Sequence, residues 1–358
     1  MLNHGGKLLS FARQYQIPVA QWLDLSTGVS PFSYPGSPIP AEAWNRLPEL
    51  DDGLEAAAAD YYGCNNLLAV AGSQAAIMAL PEVVAQQRGR LGIVALPSVG
   101  YKEHQHAWQY YRDTDNRQWA VECYEGTPST SLLARADVVV VINPNNPTGK
   151  QIPLEVLNQW QETLQHRQGG LKGGVLIVDE AFADCHPEQS LLSQQVLPAN
   201  VIVLRSVGKF FGLAGARVGF VFASPPLLDA MASLLGPWTI PGPSRFITTE
   251  ALQDRCWQTS MREQLIADGI RLKALLEQSF CCNTTGTALF QTVLLDDAPR
   301  IHHWLCQQAI LTRLCDEQNA LRFGIPASES GWQRLEQVLS TATLPEMVDV
   351  QGFINALD

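Results

Sequence analysis

The chain has 358 residues, 46% of them hydrophobic and 16% charged, an ordinary globular composition with room for about two domains. A formal charge of −11 argues against general binding to nucleic acid or an anionic membrane, so an anionic substrate would need a local cluster of arginines. The eight cysteines form no C-x-x-C pair and no Cys/His ligand spacing, which points away from a metal site and toward reduced thiols in a cytoplasm. The N-terminal stretch has no apolar signal core, and no uninterrupted apolar run approaches about 18 residues, so no membrane association is expected.

In chain order, His4-Gly5-Gly6 precedes a helical pattern from Leu8 to Tyr15. Trp22 to Pro31 reads as a strand, carrying Ser26, Thr27 and Gly28, that runs into a loop punctuated by Pro35, Gly36, Pro38 and Pro40. On residue types alone this region is an arm and His4 a solvated side chain. Asp52 to Tyr62 reads as a helix that Gly63 ends. Leu67 to Ala71 is a short strand, after which Gly72-Ser73-Gln74 opens a helix. Unpaired N–H groups and the positive end of the helix dipole make such a start an anion site, although a capping serine has the same appearance. Leu91 to Leu96 is a strand that ends in Pro97-Ser98-Val99-Gly100-Tyr101-Lys102-Glu103-His104.

Ala136 to Ile142 is apolar enough for a central parallel strand and runs into Asn143-Pro144-Asn145-Asn146-Pro147-Thr148-Gly149, a rigid turn at a strand's carboxyl end. The strand from Gly174 ends in Asp179, a carboxylate that is costly after four apolar residues unless it is paired. Val201 to Leu204 is a buried strand, and Lys209 follows it among Gly208, Gly212, Gly215 and Gly219. Partial desolvation there would lower the lysine's pKa and free its amine as a nucleophile. Asn146, Asp179 and Lys209 thus follow successive strands roughly 30 residues apart, one βα unit each, which brings all three to one edge of one sheet. Beyond them, Pro243 to Ser279 reads as one long helical region. Leu289 to Leu295, Ile310 to Leu314 and Ala320 to Pro326 read as strands, and Ser328-Glu329-Ser330 as the start of a final helix. Arg322 alternates with Leu321 and Phe323 and so points away from them.

The string Ser206-x-x-Lys209-x-x-Gly212-Leu213-Ala214-Gly215-x-Arg217-x-Gly219, together with Asn143–Gly149 and the Asp179 strand, resembles the pyridoxal-phosphate (PLP) enzymes of the aspartate aminotransferase fold, among them histidinol-phosphate aminotransferases and threonine-phosphate decarboxylases. The resemblance runs from His4 to the final helix. It implies an α/β protein of PLP-dependent transferase fold type I, with a large domain over 41–240 built on a mostly parallel sheet. A smaller α+β domain over 241–358 would be joined by an N-terminal arm over 1–40. It also implies a homodimer with the site at the subunit interface. By this resemblance Lys209 carries the cofactor covalently, Asp179 holds the pyridine nitrogen and Asn146 bonds the phenolic oxygen. The cofactor phosphate would lie on Gly72, Ser73, Gln74, Ser206 and Arg217. Tyr61 would reach the neighbouring subunit's cofactor, with Tyr62 the alternative. Such enzymes read Pro-x-Tyr-x-x-aromatic after the third strand; here two extra residues follow Pro97, which gives His104 as the group lying on the ring and Tyr101 as its rival.

His4-Gly5-Gly6 and the Leu23-Asp24-Leu25-Ser26 segment, with Thr27 and Gly28, resemble the substrate-holding arm of threonine-phosphate decarboxylases. Arg322 resembles the arginine that binds the substrate carboxylate, and Arg313 is a second candidate for the anionic substrate. Phe182 stands where aminotransferases of this group carry tyrosine, which weighs against plain transamination. The activity implied is decarboxylation of L-threonine O-3-phosphate to (R)-1-amino-2-propanol O-2-phosphate for cobalamin biosynthesis. A histidinol-phosphate-type aminotransferase is the alternative. A non-catalytic binding protein on the same scaffold is disfavoured because no catalytic position is lost.

Overall fold

The computed structural model describes residues 5–166 and 173–341. They belong to two compact units, a larger one of Ser33–Asn146 and Lys150–Thr259, and a smaller one of Met1–Phe32, Pro147–Gly149 and Ser260–Asp358. The units part at 32/33 and 259/260, where the sequence suggests 40/41 and 240/241. Two contacts within the larger unit account for the difference. The Tyr34 N–H donates to the Phe211 carbonyl at 2.9 Å, and buried Arg245 bonds both Asp52 and Glu55.

The smaller unit opens with α1 (Leu8–Tyr15) and the two-residue strand β1 (Leu23–Asp24). Leu8, Phe11, Ala12 and Tyr15 share one helical face, which packs on Trp22 and Cys306. In the larger unit follow α2 (Glu42–Asn45), α3 (Leu54–Tyr62), β2 (Leu67–Val70), α4 (Gly72–Arg88), β3 (Ile93–Pro97), α5 (Lys102–Tyr110), β4 (Ala120–Tyr124), α6 (Thr130–Arg135) and β5 (Val138–Ile142). Then come α7 (Leu154–Gln165), β6 (Val175–Asp179), β7 (Val201–Ser206), β8 (Gly219–Phe222), α8 (Pro225–Leu235) and α9 (Gly242–Gln253). The strands form one seven-stranded sheet in the order β2-β8-β7-β6-β5-β3-β4. β8 is antiparallel to both neighbours and the remaining pairs are parallel.

Every residue of β5, β6 and β7 is buried. This is why these strands read as continuous apolar runs rather than alternating ones: helices cover both faces of a parallel sheet. Ile77, Leu80 and Val84 of α4 pack with Val94, Val140, Ile177 and Leu204 in the core of this unit. The parallel direction brings the turn after β5, the end of β6 and the segment after β7 to the same sheet edge, where open α/β sheets bind ligands.

At that edge the strand-end residues divide between two faces. Arg205, one residue before Ser206, bonds Glu180 at 2.9 Å and Asp184 at 2.8 Å, with all three side chains at most 2% exposed. Ser190 Oγ and the Leu191 N–H complete the shell of Glu180, and the Arg205 guanidinium lies 4.7 Å from the centre of the Tyr62 ring. Burial raises the Glu180 carboxyl above its ordinary value even beside Arg205.

In the smaller unit α10 (Arg255–Phe280), which opens in the larger one, is followed by β9 (Thr285–Thr287), β10 (Phe290–Leu294), α11 (Ala298–Gln307), β11 (Ile310–Leu311), β12 (Arg313–Leu314), β13 (Ala320–Gly324) and α12 (Glu329–Ser340). An antiparallel sheet β12-β13-β10-β9 forms one layer, and β11 pairs in parallel with β1. Two expectations change. The helical region 243–279 breaks at Asp254, whose carboxylate accepts the Trp257 N–H and opens α10. The strand expected over 310–314 is two short strands that part at Thr312 and join different sheets. Leu272, Leu276, Phe280, Val293, Phe323 and Trp332 make the core of this unit. Among the described residues no helix is long and apolar enough to cross a membrane.

Arg205→Met strands two buried carboxylates and is expected to cost about 3–5 kcal/mol in denaturant unfolding. Arg117→Ala, which removes a 68% exposed partner of Asp113, should leave the denaturant midpoint almost unchanged, because solvent screens such a pair.

Candidate active site

A small cleft opens at the carboxyl edge of the large sheet. Part of its lining is positive. Gly72 begins α4, and its N-cap Ala71 supplies no side-chain cap, so the first-turn N–H groups belong to the cavity wall that Ser73 and Gln74 line. Ser73 lies inside the helix rather than at its cap, which removes the capping alternative. Gly72 adopts φ +71, and a Cβ there would stand 2.7 Å from Arg217 Nη2. Only glycine allows that backbone and that proximity together. Arg217, Ser206 and Lys209 line the same cavity. A helix start, a guanidinium, an ammonium and two hydroxyls make a strong anion cradle.

The other polar landmark is negative. Asp179 is 4% exposed, lines the cavity, and holds an oxygen 2.8 Å from His104 Nε2. Its other oxygen accepts the Ala181 N–H at 3.1 Å. Each carboxylate oxygen has two acceptor positions, so these two bonds leave room for a further donor on either oxygen. The walls are flat and apolar: Ile142, Ala181, Phe182 and Tyr101. Lys209 Nζ stands 5.3 Å from the centre of the Phe182 ring.

Of the two candidates for the ring-stacking position, Tyr101 lines the cavity and His104 packs beside it against Asp179. Tyr101 sits at the N-cap of α5, at the rim, while His104 lies in the first turn with 1% exposure and turns toward Asp179. Burial, with Glu103 and Asp179 nearby, pushes the Tyr101 phenol up to about 12. It therefore stays protonated at neutral pH and donates to Gln74 Oε1 at 3.1 Å. Gln74 in turn donates to Glu103 at 2.9 Å, so this wall is a hydrogen-bonded chain.

The asparagines after β5 separate by role. Asn143 clamps Ile152 through both its amide atoms, and Asn145 donates to the Val99 carbonyl. Asn146 is the one of the three that lines the cavity. Tyr61 lies outside it, and its hydroxyl donates to Asp184 at 3.1 Å.

Of the cavity residues, Ile142 and Ala181 are not singled out by the sequence. Both adjoin a recognised polar residue or turn, and adjacency to a strand end was the available signal.

The residues expected to hold substrate lie in the smaller unit, except Asn146, which also carries that expectation and lines the cavity, and His4, which falls outside the described residues. Gly5, Gly6, Ser26 and Arg322 come together there. Ser26 is buried, its hydroxyl donates to Asp24 and accepts the Gly6 N–H, and its carbonyl accepts from Arg322 Nη2. Thr27 is partly buried and Gly28 is buried. Arg322 is 7% exposed, and burial, with repulsion from Arg313, pulls its guanidinium down to about 10. It remains cationic at neutral pH, and an anionic ligand would relieve the cost. Arg313 faces Arg322 across β12 and β13 and bonds Asp316 at 3.1 Å. Among the described residues no group of three His, Cys, Asp or Glu side chains gathers as a metal site.

Comparison with known proteins accords with this geometry. The sequence model of the aminotransferase class I and II family matches residues 41–350. A threonine-phosphate decarboxylase of Pseudomonas aeruginosa is 46% identical over 339 residues, 95% of this chain and 97% of that protein. A threonine-phosphate decarboxylase of a Sinorhizobium species is 36% identical over 95% of this chain and 98% of its own. The crystal structure of histidinol-phosphate aminotransferase from Sinorhizobium meliloti, in complex with pyridoxal-5'-phosphate, superposes with a TM-score of 0.75 at 19% identity, covering 96% of this chain and 95% of that one. With the family's sequence pattern spanning nearly the whole chain, this protein belongs to the class I and II aminotransferases.

Proposed function

We propose that this protein is a PLP-dependent lyase that decarboxylates L-threonine O-3-phosphate to (R)-1-amino-2-propanol O-2-phosphate, a step in cobalamin biosynthesis. The observation that carries the reading is the set of groups that line one cavity: the start of α4 with Ser73, Ser206 and Arg217, the buried carboxylate of Asp179, and Lys209 beside Phe182. That set of groups fits PLP, which has a phosphate, an aromatic ring, a carbonyl carbon and a basic ring nitrogen. The narrow glycine at position 72, where a side chain would intrude on Arg217, fits the phosphate end. The 46% identity to a threonine-phosphate decarboxylase supports the substrate.

When bound, PLP supplies an electron sink for the pair left on Cα as the bond to the carboxylate breaks. The chain's own groups do the rest. Gly72, Ser73, Gln74, Ser206 and Arg217 would hold the phosphate. Asp179, oriented by His104, would keep a proton on the ring nitrogen. Asn146 would donate to the phenolic oxygen, and Tyr101 would cover the ring face. Lys209 would hold the cofactor covalently until the substrate amine takes its place. Its Nζ, once freed, would be the group that returns a proton to Cα after CO₂ has left. Phe182 has no hydroxyl, so this wall offers the phenolic oxygen no tyrosine donor.

Arg322 is assigned the substrate carboxylate, and Arg313, His4, Gly5, Gly6, Thr27 and Gly28 the remainder of the phosphorylated substrate. The carboxylate must stand perpendicular to the ring for its bond to break, so these anchors decide between losing CO₂ and losing a proton. We further read the protein as a cytoplasmic homodimer in which Tyr61 serves the neighbouring subunit's site. Eight free cysteines support the compartment. The exposed Trp44, Leu47 and Leu50, close together in sequence, support a buried partner surface.

Purified, PLP-loaded protein given O-phospho-L-threonine without a keto acid should release CO₂ and the aminopropanol phosphate catalytically. Failure there, with amino transfer from histidinol phosphate to 2-oxoglutarate, would make the protein an aminotransferase instead. Lys209→Ala should lose covalent cofactor attachment by mass spectrometry after borohydride reduction, and at least about 10³-fold in kcat. Gly72→Ala should weaken PLP retention about 10-fold or more in equilibrium dialysis, because the new Cβ meets Arg217 in a left-handed backbone. Unchanged retention would remove α4 from the phosphate site.

A further inference from the structure

Ser26 makes four polar contacts within the smaller unit, and its single hydroxyl proton is committed to Asp24. Its N–H and its hydroxyl both donate to Asp24 Oδ1, at 2.9 and 2.6 Å. Because the hydroxyl proton goes to a carboxylate, the oxygen presents lone pairs to its other neighbour, and it accepts the Gly6 N–H at 2.9 Å. The Ser26 carbonyl accepts from Arg322 Nη2 at 2.9 Å. Gly5 runs so close that any Cβ there would overlap that same carbonyl. A single residue, 2% exposed, therefore fixes both the entry of the N-terminal glycines and one edge of a buried guanidinium.

We propose that Asp24 and Ser26 are positioning residues: the carboxylate of Asp24 sets the hydroxyl and carbonyl of Ser26, and these set the path of Gly5-Gly6 and the plane of the Arg322 fork. A guanidinium binds a carboxylate well only when its planar fork is oriented, so the relay governs affinity for the substrate carboxylate. The inference rests on reading Arg322 as the carboxylate-binding arginine. It moves Ser26 from a substrate contact to a support and gives Asp24, until here only one letter of the Leu23-Asp24-Leu25-Ser26 segment, a role of its own.

The test uses the PLP-loaded full chain with O-phospho-L-threonine. Asp24→Ala and Ser26→Ala should each raise KM about 10-fold, the worth of one hydrogen bond to a charged group, with kcat within about twofold. The double variant should match the singles, because one relay is cut twice. Asp24→Asn keeps an acceptor at Oδ1 and should recover most of the KM. Limited trypsin cleavage after Lys7 should be faster in both alanine variants than in wild type or Asp24→Asn. An unchanged KM, additive singles, or a fall in thermal stability and kcat with KM unmoved would overturn the relay. If wild type does not turn over this substrate, the functional reading fails by itself. The cleavage rates then still decide the relay, since equal rates in all forms would overturn it.

Discussion

The buried charge triad of Arg205, Glu180 and Asp184 is the constraint on which the edge of the large sheet depends. Successive residues of a strand face opposite sides. At the end of β7, Arg205 turns inward while Ser206 lines the cavity, and just after β6 Glu180 turns inward while Asp179 lines it. A guanidinium between two carboxylates, all excluded from water, ties the ends of two neighbouring parallel strands together. Losing one member would leave charge in a medium that cannot solvate it. The triad thus holds two cavity residues in register from behind, without touching the cavity.

In front of it, the cavity is lined by groups of both signs. Arg217 lies at the start of α4, and Asp179 and Lys209 line the same cavity. One wall is kept neutral: Tyr101 is held protonated by burial and by nearby carboxylates, and it shares a hydrogen-bond chain with Gln74 and Glu103. His104 acts behind Asp179, fixing one of its oxygens and leaving the carboxylate little freedom to rotate.

The smaller unit keeps a cation buried. Arg322 is weakened by burial yet still charged, and the Ser26 carbonyl accepts from its Nη2 at 2.9 Å. A carbonyl dipole orients a guanidinium without cancelling its charge. Arg313, opposite it on β12, bonds Asp316.

Much of this was legible in the linear chain. Lys209, Asp179 and Asn146 stand out because continuous apolar runs mark buried strands and polar residues at their ends must have a purpose. The helix start at Gly72 and the glycine-rich string after β7 are local features, written in neighbouring residues. What could not be read were relations between side chains far apart in sequence. Whether Tyr101 or His104 faces the cavity depends on where α5 begins relative to the sheet edge, since a displacement of one helical turn exchanges rim for interior. The pairing of Arg205 with Glu180 and Asp184, the break of 310–314 into two sheets, and the contact of Ser26 with Gly6 and Arg322 are set by strand order and register. Those arise only when the chain packs, because a residue's type states what partner it needs and the fold decides which partner is within reach.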